Sequence, residues 1–172
     1  MSARDFLLAI ASGLLLVLTF PRFDLEPLVW VALVPLLWAL PGKSPKESFW
    51  LGWLTGLIFY GGVIYWVINT MVHYGHLPVG LSLLILLLLV VYMGAYVALF
   101  AVFLSFLGGR ASWFRWLGAP LIWTTLELVR AHLFTGFPWA ILGYSQYQTL
   151  SLIQVSDITG VYGVSFLIVW GN

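Results

Sequence analysis

The sequence predicts an all-α fold, a polytopic transmembrane helix bundle of about five complete spans plus a truncated sixth. Three observations carry that prediction. Of 172 residues, 62% are hydrophobic and 8% are charged, where a soluble domain has roughly 25% charged residues. Such a chain, with a mean hydropathy of +1.04, cannot cover a globule with polar surface. Apolar runs of helical length recur, and short stretches holding Gly, Pro and charge separate them. Finally, Trp 10, Tyr 8 and Phe 12 suit a chain with many helix ends at headgroup level.

The same composition removes several function classes. A net charge of +1 offers no basic field and no nucleic-acid motif is present, so nucleic acid is not an expected partner. With Cys 0, disulfides, thiolate metal sites and a cysteine nucleophile are excluded from these residues.

Crossing about 30 Å of hydrocarbon takes about 20 helical residues, fewer where the bilayer thins. The first two runs, 6–20 and 28–40, are short, and Pro35 should kink the second. They either cross or form a shallow hairpin, and both arrangements return the chain to its starting side. The third run covers 49–68 and the fourth 79–107, long enough to tilt or project. The fifth covers 117 to about 133, and the sixth starts near Ile158 and runs to Asn172. The start, Met1-Ser2-Ala3-Arg4-Asp5, resembles a signal peptide, but the flank Thr19-Phe20-Pro21-Arg22-Phe23 has no small-x-small cleavage site. The first helix therefore reads as retained.

Lysine and arginine set the orientation. With the N-terminus inside, the inner segments hold Arg4, Lys43, Lys46, Arg110 and Arg115, and the outer side holds Arg22 and Arg130. Five against two places the N-terminus in the cytoplasm. The outer segments are then 21–27, 69–78 and 134–157. The last is the longest and combines apolar residues with the helix-breaking Gly136, Pro138 and Gly143, so it should lie at the outer interface, packed on the bundle or lining a cavity.

Glu127 and Arg130 stand three apart on the fifth span and share a helix face. A rise of ~1.5 Å per residue places them about 15 Å and about 20 Å in from Leu117. Ionisable groups at that depth face the protein interior or water and mark function by default. The structural reading, an intrahelical ion pair, is the one adopted. His73 and His76 could begin a metal site, but no acidic residue lies nearby to complete it, so no metal or other cofactor is predicted. No Gly-x-Ser-x-Gly elbow accompanies Asp157 and Ser165. Gly160, Gly163 and Ser165 read as small packing positions on the sixth helix. Trp66, near the outer end of the third span, reads as interfacial belt or lipid lining.

Taken together, Thr135-Gly136-Phe137-Pro138-Trp139 and Leu142-Gly143-Tyr144-Ser145-Gln146 resemble apolipoprotein N-acyltransferases. Glu127, Arg130, Tyr65-Trp66-Val67 and the 157–166 stretch extend the resemblance over essentially the whole chain. It implies a bacterial inner-membrane enzyme whose nitrilase-like domain, carrying a Glu-Lys-Cys triad, stands on the outer face. That cysteine takes an acyl chain from a phospholipid as a thioester and passes it to the N-terminal diacylglyceryl-cysteine of a lipoprotein. Residues 1–172 would then be the transmembrane domain alone, with no catalytic residue of its own and no activity by itself. Its expected partners are the phospholipid donor, the diacylated lipoprotein acceptor and the membrane, with the motif loop facing the periplasm. Trp139, Tyr144 and Gln146, with Trp66, are the expected substrate-binding residues, because they join flat apolar area to polar tips. Two alternatives are a non-catalytic membrane anchor or scaffold for a separately encoded enzyme, and a small transporter. Against the transporter, no pair of broken helices converges on a polar midplane.

Overall fold

Serine caps start the first and the fourth helix. The computed structural model describes residues 1–107 and 112–172, the side chains of 112–115 and 135 excepted. Helix α1 (Ala3–Leu18) begins where Asp5 N–H donates to Ser2 Oγ at 3.3 Å and Ser2 N–H donates to Asp5 Oδ2 at 2.6 Å. That reciprocal box satisfies amides the helix itself leaves free. After a 3-10 turn at Glu26–Leu28 come α2 (Val29–Ala32) and α3 (Val34–Ala39). The kink expected from Pro35 is an interruption at Leu33, whose backbone stays right-handed, since proline has no N–H to continue the ladder and crowds the turn before it. The freed Leu33 N–H donates to Asn172 Oδ1 at 2.8 Å, while Asn172 Nδ2 donates to Val29 O at 2.8 Å.

Helix α4 (Pro45–Val63) repeats the box with Ser44 and Glu47 and has proline in its first turn. The single third helix expected over 49–68 is instead two, α4 and α5 (Val67–His73), bent by 49°. Gly61 and Gly62 weaken the helix just before the break. Helix α6 (Val79–Phe106) has 28 residues, about 42 Å of rise. Helix α7 (Ser112–His132) tolerates Pro120 inside it, and Thr124 Oγ1 donates to the Pro120 carbonyl. Short helices α8 (Leu150–Ile153) and α9 (Ser156–Thr159) lead to α10 (Val161–Gly171). The sixth helix starts later than Ile158 because Gly160, at φ +66°, interrupts it. All regular structure among the described residues is helical. By length and apolar composition α6 meets the requirement for a membrane span, and α4 with α5 meets it as a bent pair.

Close backbone approach holds the centre. A Cβ on Gly52 would lie 2.6 Å from Val97 O, and one on Gly56 2.7 Å from Gly94 Cα. The four-residue spacing Gly52–Gly56 lets α4 and α6 touch, the close approach by which small residues pack one helix on another. Polar side chains add hydrogen bonds between helices. Ser12 Oγ donates to Ala32 O at 2.5 Å and Thr55 Oγ1 to Ala9 O at 2.9 Å. On the outside, Leu83, Leu84, Leu87 and Leu88 of α6 are each more than half exposed, an apolar face suited to lipid.

Lys43 Nζ contacts Asp5 Oδ2 at 2.6 Å, so the starts of α1 and α4 share one end of the molecule. Asp24 accepts from Tyr147 Oη at 3.0 Å, joining the far end of α1 to the 142–149 loop. Of the charges used for orientation, Arg110 and the Arg115 side chain lie outside the described residues.

Candidate functional site

Two buried charges at the end of α7 organise the loop that follows. Arg130 is fully buried and Glu127 is 4% exposed. The direct ion pair expected from their spacing does not form. Among the described residues the ion pairs are Lys43–Asp5 and the Met1 amino group with Glu47. The guanidinium instead turns to the loop backbone, where Arg130 Nη1 donates to Trp139 O at 2.7 Å and Nη2 to Ala140 O at 3.4 Å. Leu142 N–H donates to Glu127 Oε1 at 2.7 Å. The reason is supply: non-helical backbone leaves carbonyls and amides unpaired, and burial makes charged partners for them valuable. The Arg130 guanidinium also lies over the Tyr60 ring, 5.2 Å from its centre.

The loop reaches this cradle through backbone that few residues adopt. Phe134 (φ +52°), Gly136 (φ +79°) and Ala140 (φ +55°) are left-handed. A Cβ at Gly136 would stand 2.0 Å from Ala131 O, so glycine is required there. Phe137 N–H then donates to Arg130 O at 3.1 Å. Downstream, Gly143 N–H donates to Ser165 Oγ at 2.9 Å, tying the 3-10 turn Leu142–Gln146 to α10.

A groove of about 390 Å³ opens above the cradle. Trp139, Ala140, Tyr144 and Tyr147 of the loop form one wall, and Phe20, Tyr65 and Trp66 stand across it. Trp66 and Trp139 rings are 6.3 Å apart, and both are more than a third exposed. Glu26 clamps the walls together. Its carboxylate accepts from Gln148 N–H at 3.2 Å and Thr149 Oγ1 at 3.0 Å, and its carbonyl from Gln146 Nε2 at 3.1 Å. Arg22 stands over the Tyr65 ring at 5.2 Å, which sets a cation beside the groove. An apolar trough with a few polar tips and one cation can take an acyl chain or another amphiphile.

Residues 12–172 match the family described as apolipoprotein N-acyltransferase N-terminal domain. The chain belongs to this family. It is 48% identical over 169 residues to an apolipoprotein N-acyltransferase of Geobacter metallireducens, covering 98% of this chain and 32% of that one. Apolipoprotein N-acyltransferases of Pasteurella multocida (33% over 165 residues; 96% and 31% covered) and Nitrosomonas europaea (34% over 163; 93% and 32%) are similar along the same length. The chain spans about a third of the length of these curated relatives.

Within this N-acyltransferase N-terminal domain, three of the four residues expected to touch substrate share the groove: Trp66, Trp139 and Tyr144. The fourth, Gln146, is 2% exposed and spends its amide on Glu26 O, so it braces the groove from beneath. His73, at the end of α5, and His76, on the α5–α6 connection, are exposed, and His73 Nδ1 lies 3.1 Å from Asn69 O in its own helix. Ser165, expected to be a packing position, is buried and accepts the Gly143 amide. Sequence reasoning missed Glu26 and Asp24. Their only signal is charge close before Pro27, and their partners lie 120 or more residues away.

Proposed function

We propose that this chain is the transmembrane domain of an apolipoprotein N-acyltransferase, which transfers an acyl chain from phospholipid to the N-terminal diacylglyceryl-cysteine of lipoproteins. The observation that carries the reading is the aromatic groove held on the Glu127–Arg130 cradle, in a chain whose relatives bear that name. In this reading the domain crosses the bacterial inner membrane with five complete spans and the first part of a sixth. Its N-terminus is cytoplasmic and the 134–157 segment faces the periplasm. The groove then lies where acyl chains meet headgroups, and Trp66, Trp139 and Tyr144 line the path of a lipid chain. These 172 residues contain Cys 0, so the thiolate that forms the thioester is supplied from elsewhere. Alone, the domain binds lipid without turnover.

The test is made in a full-length relative, at the residues matching Trp66, Trp139 and Tyr144. Alanine at each should raise KM for phospholipid or lower kcat by tenfold or more, with membrane insertion and thermal stability unchanged. Wild-type turnover in all three would reduce the groove to packing. Separately, triacylated lipopeptide formed by the 172-residue chain alone would overturn the assignment of the nucleophile to another segment.

A further inference from the structure

We infer that a single bound water molecule joins Trp123, Glu127 and Arg130 inside the bundle, completing at one remove the charge pair these side chains do not make directly. Three atoms carry the inference. Trp123 Nε1, Glu127 Oε2 and Arg130 Nε are buried polar atoms that make no hydrogen bond of normal length and angle, though the Trp123 indole and the Ser165 hydroxyl both stand beside the Glu127 carboxyl. Their residues are 4%, 4% and 0% exposed. The three residues line one cavity between α4, α6 and α7, together with Tyr60, Tyr96, Val97, Phe100 and Leu126. Leaving three such atoms unpaired in one place is far costlier than leaving one on a surface, because no solvent compensates them.

Size and chemistry select the ligand. The cavity offers about 10 Å³ for the centre of a water-sized sphere, about the least a water needs. Trp123 and Arg130 present N–H donors, and Glu127 presents an acceptor. A metal cation would face two donors, and an anion would face a carboxylate. Water alone among small ligands can accept from both nitrogens while donating to the carboxylate. It also has the two to four partners that buried waters keep. The site is independent of the reaction proposed above, since it uses only side chains beneath the loop. Its consequence is mechanical: Glu127 Oε1 holds Leu142 and Arg130 holds Trp139, so the water couples the two grips that shape the groove.

The experiment uses the 172-residue chain in detergent micelles with 15N-labelled tryptophan. Of its ten indole resonances, that of Trp123 is assigned by its loss in Trp123→Phe. If that variant does not fold, the wild-type resonance is assigned by its NOE to Phe100, whose ring lies edge-on at 5.0 Å. The expected result is a rotating-frame NOE from the Trp123 indole proton to water, in a resonance whose hydrogen exchange is slow against that of exposed Trp38. Absence of the water cross-peak overturns the inference. So does a high-resolution density map in which Arg130 Nε contacts Glu127 Oε2 directly, with nothing between them.

Discussion

Arg130 Nη1 donates to the main-chain carbonyl of Trp139 across 2.7 Å, so a buried guanidinium on α7 fixes where an exposed indole stands. The pairing converts charge into geometry. A neutral side chain at 130 could fill the volume but could not satisfy the carbonyls of Trp139 and Ala140 at once.

Arg130→Leu should therefore destabilise the protein by about 3–5 kcal/mol, the range for stranding a buried charge partner. Arg130→Lys should recover part of that, because one ammonium can reach one carbonyl but not form the fork. The double variant Glu127→Gln, Arg130→Leu should be rescued only in part. Removing both charges ends their mismatch, yet the carbonyls at 139 and 140 still lose their donor. Thermal denaturation of wild type, Glu127→Gln, Arg130→Leu and the double variant in one detergent makes the double-mutant cycle. Full recovery in the double variant would mean that the two residues matter only to each other.

Gly136→Ala should unfold the 133–149 loop while leaving the helices in place. Its φ of +79° and a Cβ 2.0 Å from Ala131 O cannot both be relieved without moving the end of α7. A left-handed alanine costs roughly 1–2 kcal/mol before any clash is counted. Far-ultraviolet circular dichroism should stay near wild type while tryptophan fluorescence shifts red as Trp139 loses its neighbours. An unchanged spectrum and melting temperature would show that the loop tolerates another path.

The helices were legible in the sequence where long apolar runs stand between breakers, as in α1 and α6. The α4–α5 bend was not, because Tyr65 and Trp66 read as a continuation of the helix and the weakening at Gly61 and Gly62 does not by itself fix a turn. Of the groove, Trp66, Trp139 and Tyr144 could be named from their amphipathic character. Gln146 has the same polar tip but points inward, and the orientation of a 3-10 residue cannot be taken from its type. Glu127 and Arg130 were conspicuous by charge, yet their partners are backbone atoms, which carry no residue signature. Glu26 was hidden for a related reason: its contacts span 120 or more residues.

At the opposite end, Asp5 and Glu47 make the fold acid-sensitive. The Lys43 ammonium at 2.6 Å, helped by the Ser2 amide, lowers the Asp5 carboxyl from 3.8 to about 2. The amide and hydroxyl of Ser44, with the Met1 amino group, lower Glu47 from 4.5 to about 2. Folded values below the ordinary ones mean that both carboxylates stabilise the fold fully above those ordinary values. That contribution is lost as pH falls toward about 2. Melting temperature should decline across that window, and Lys43→Met should make the decline shallower without abolishing it, since Glu47 still titrates. Superimposable acid branches would detach the Lys43–Asp5 contact from stability.

The proposed orientation gives the last prediction, and the structure changes how it is best tested. Cys 0 means that within these 172 residues an introduced cysteine is the only thiol, so the 172-residue chain is the one labelled. Ser145, in the middle of the motif, looks like an ideal reporter by sequence, but it is fully buried and would not react on either side of a membrane. Ser151 on α8 and Lys46 on α4 are both exposed, and they lie toward the opposite ends marked by the Tyr147–Asp24 and Lys43–Asp5 contacts. In intact cells with a permeabilised outer membrane, Ser151→Cys should react with a membrane-impermeant maleimide. Lys46→Cys should react only after the inner membrane is opened. Each substitution leaves the hydrogen bonds of the cradle and groove in place, so a folding failure cannot imitate the labelling pattern. Reaction of Lys46→Cys with protection of Ser151→Cys would invert the proposed topology and put the groove on the cytoplasmic side.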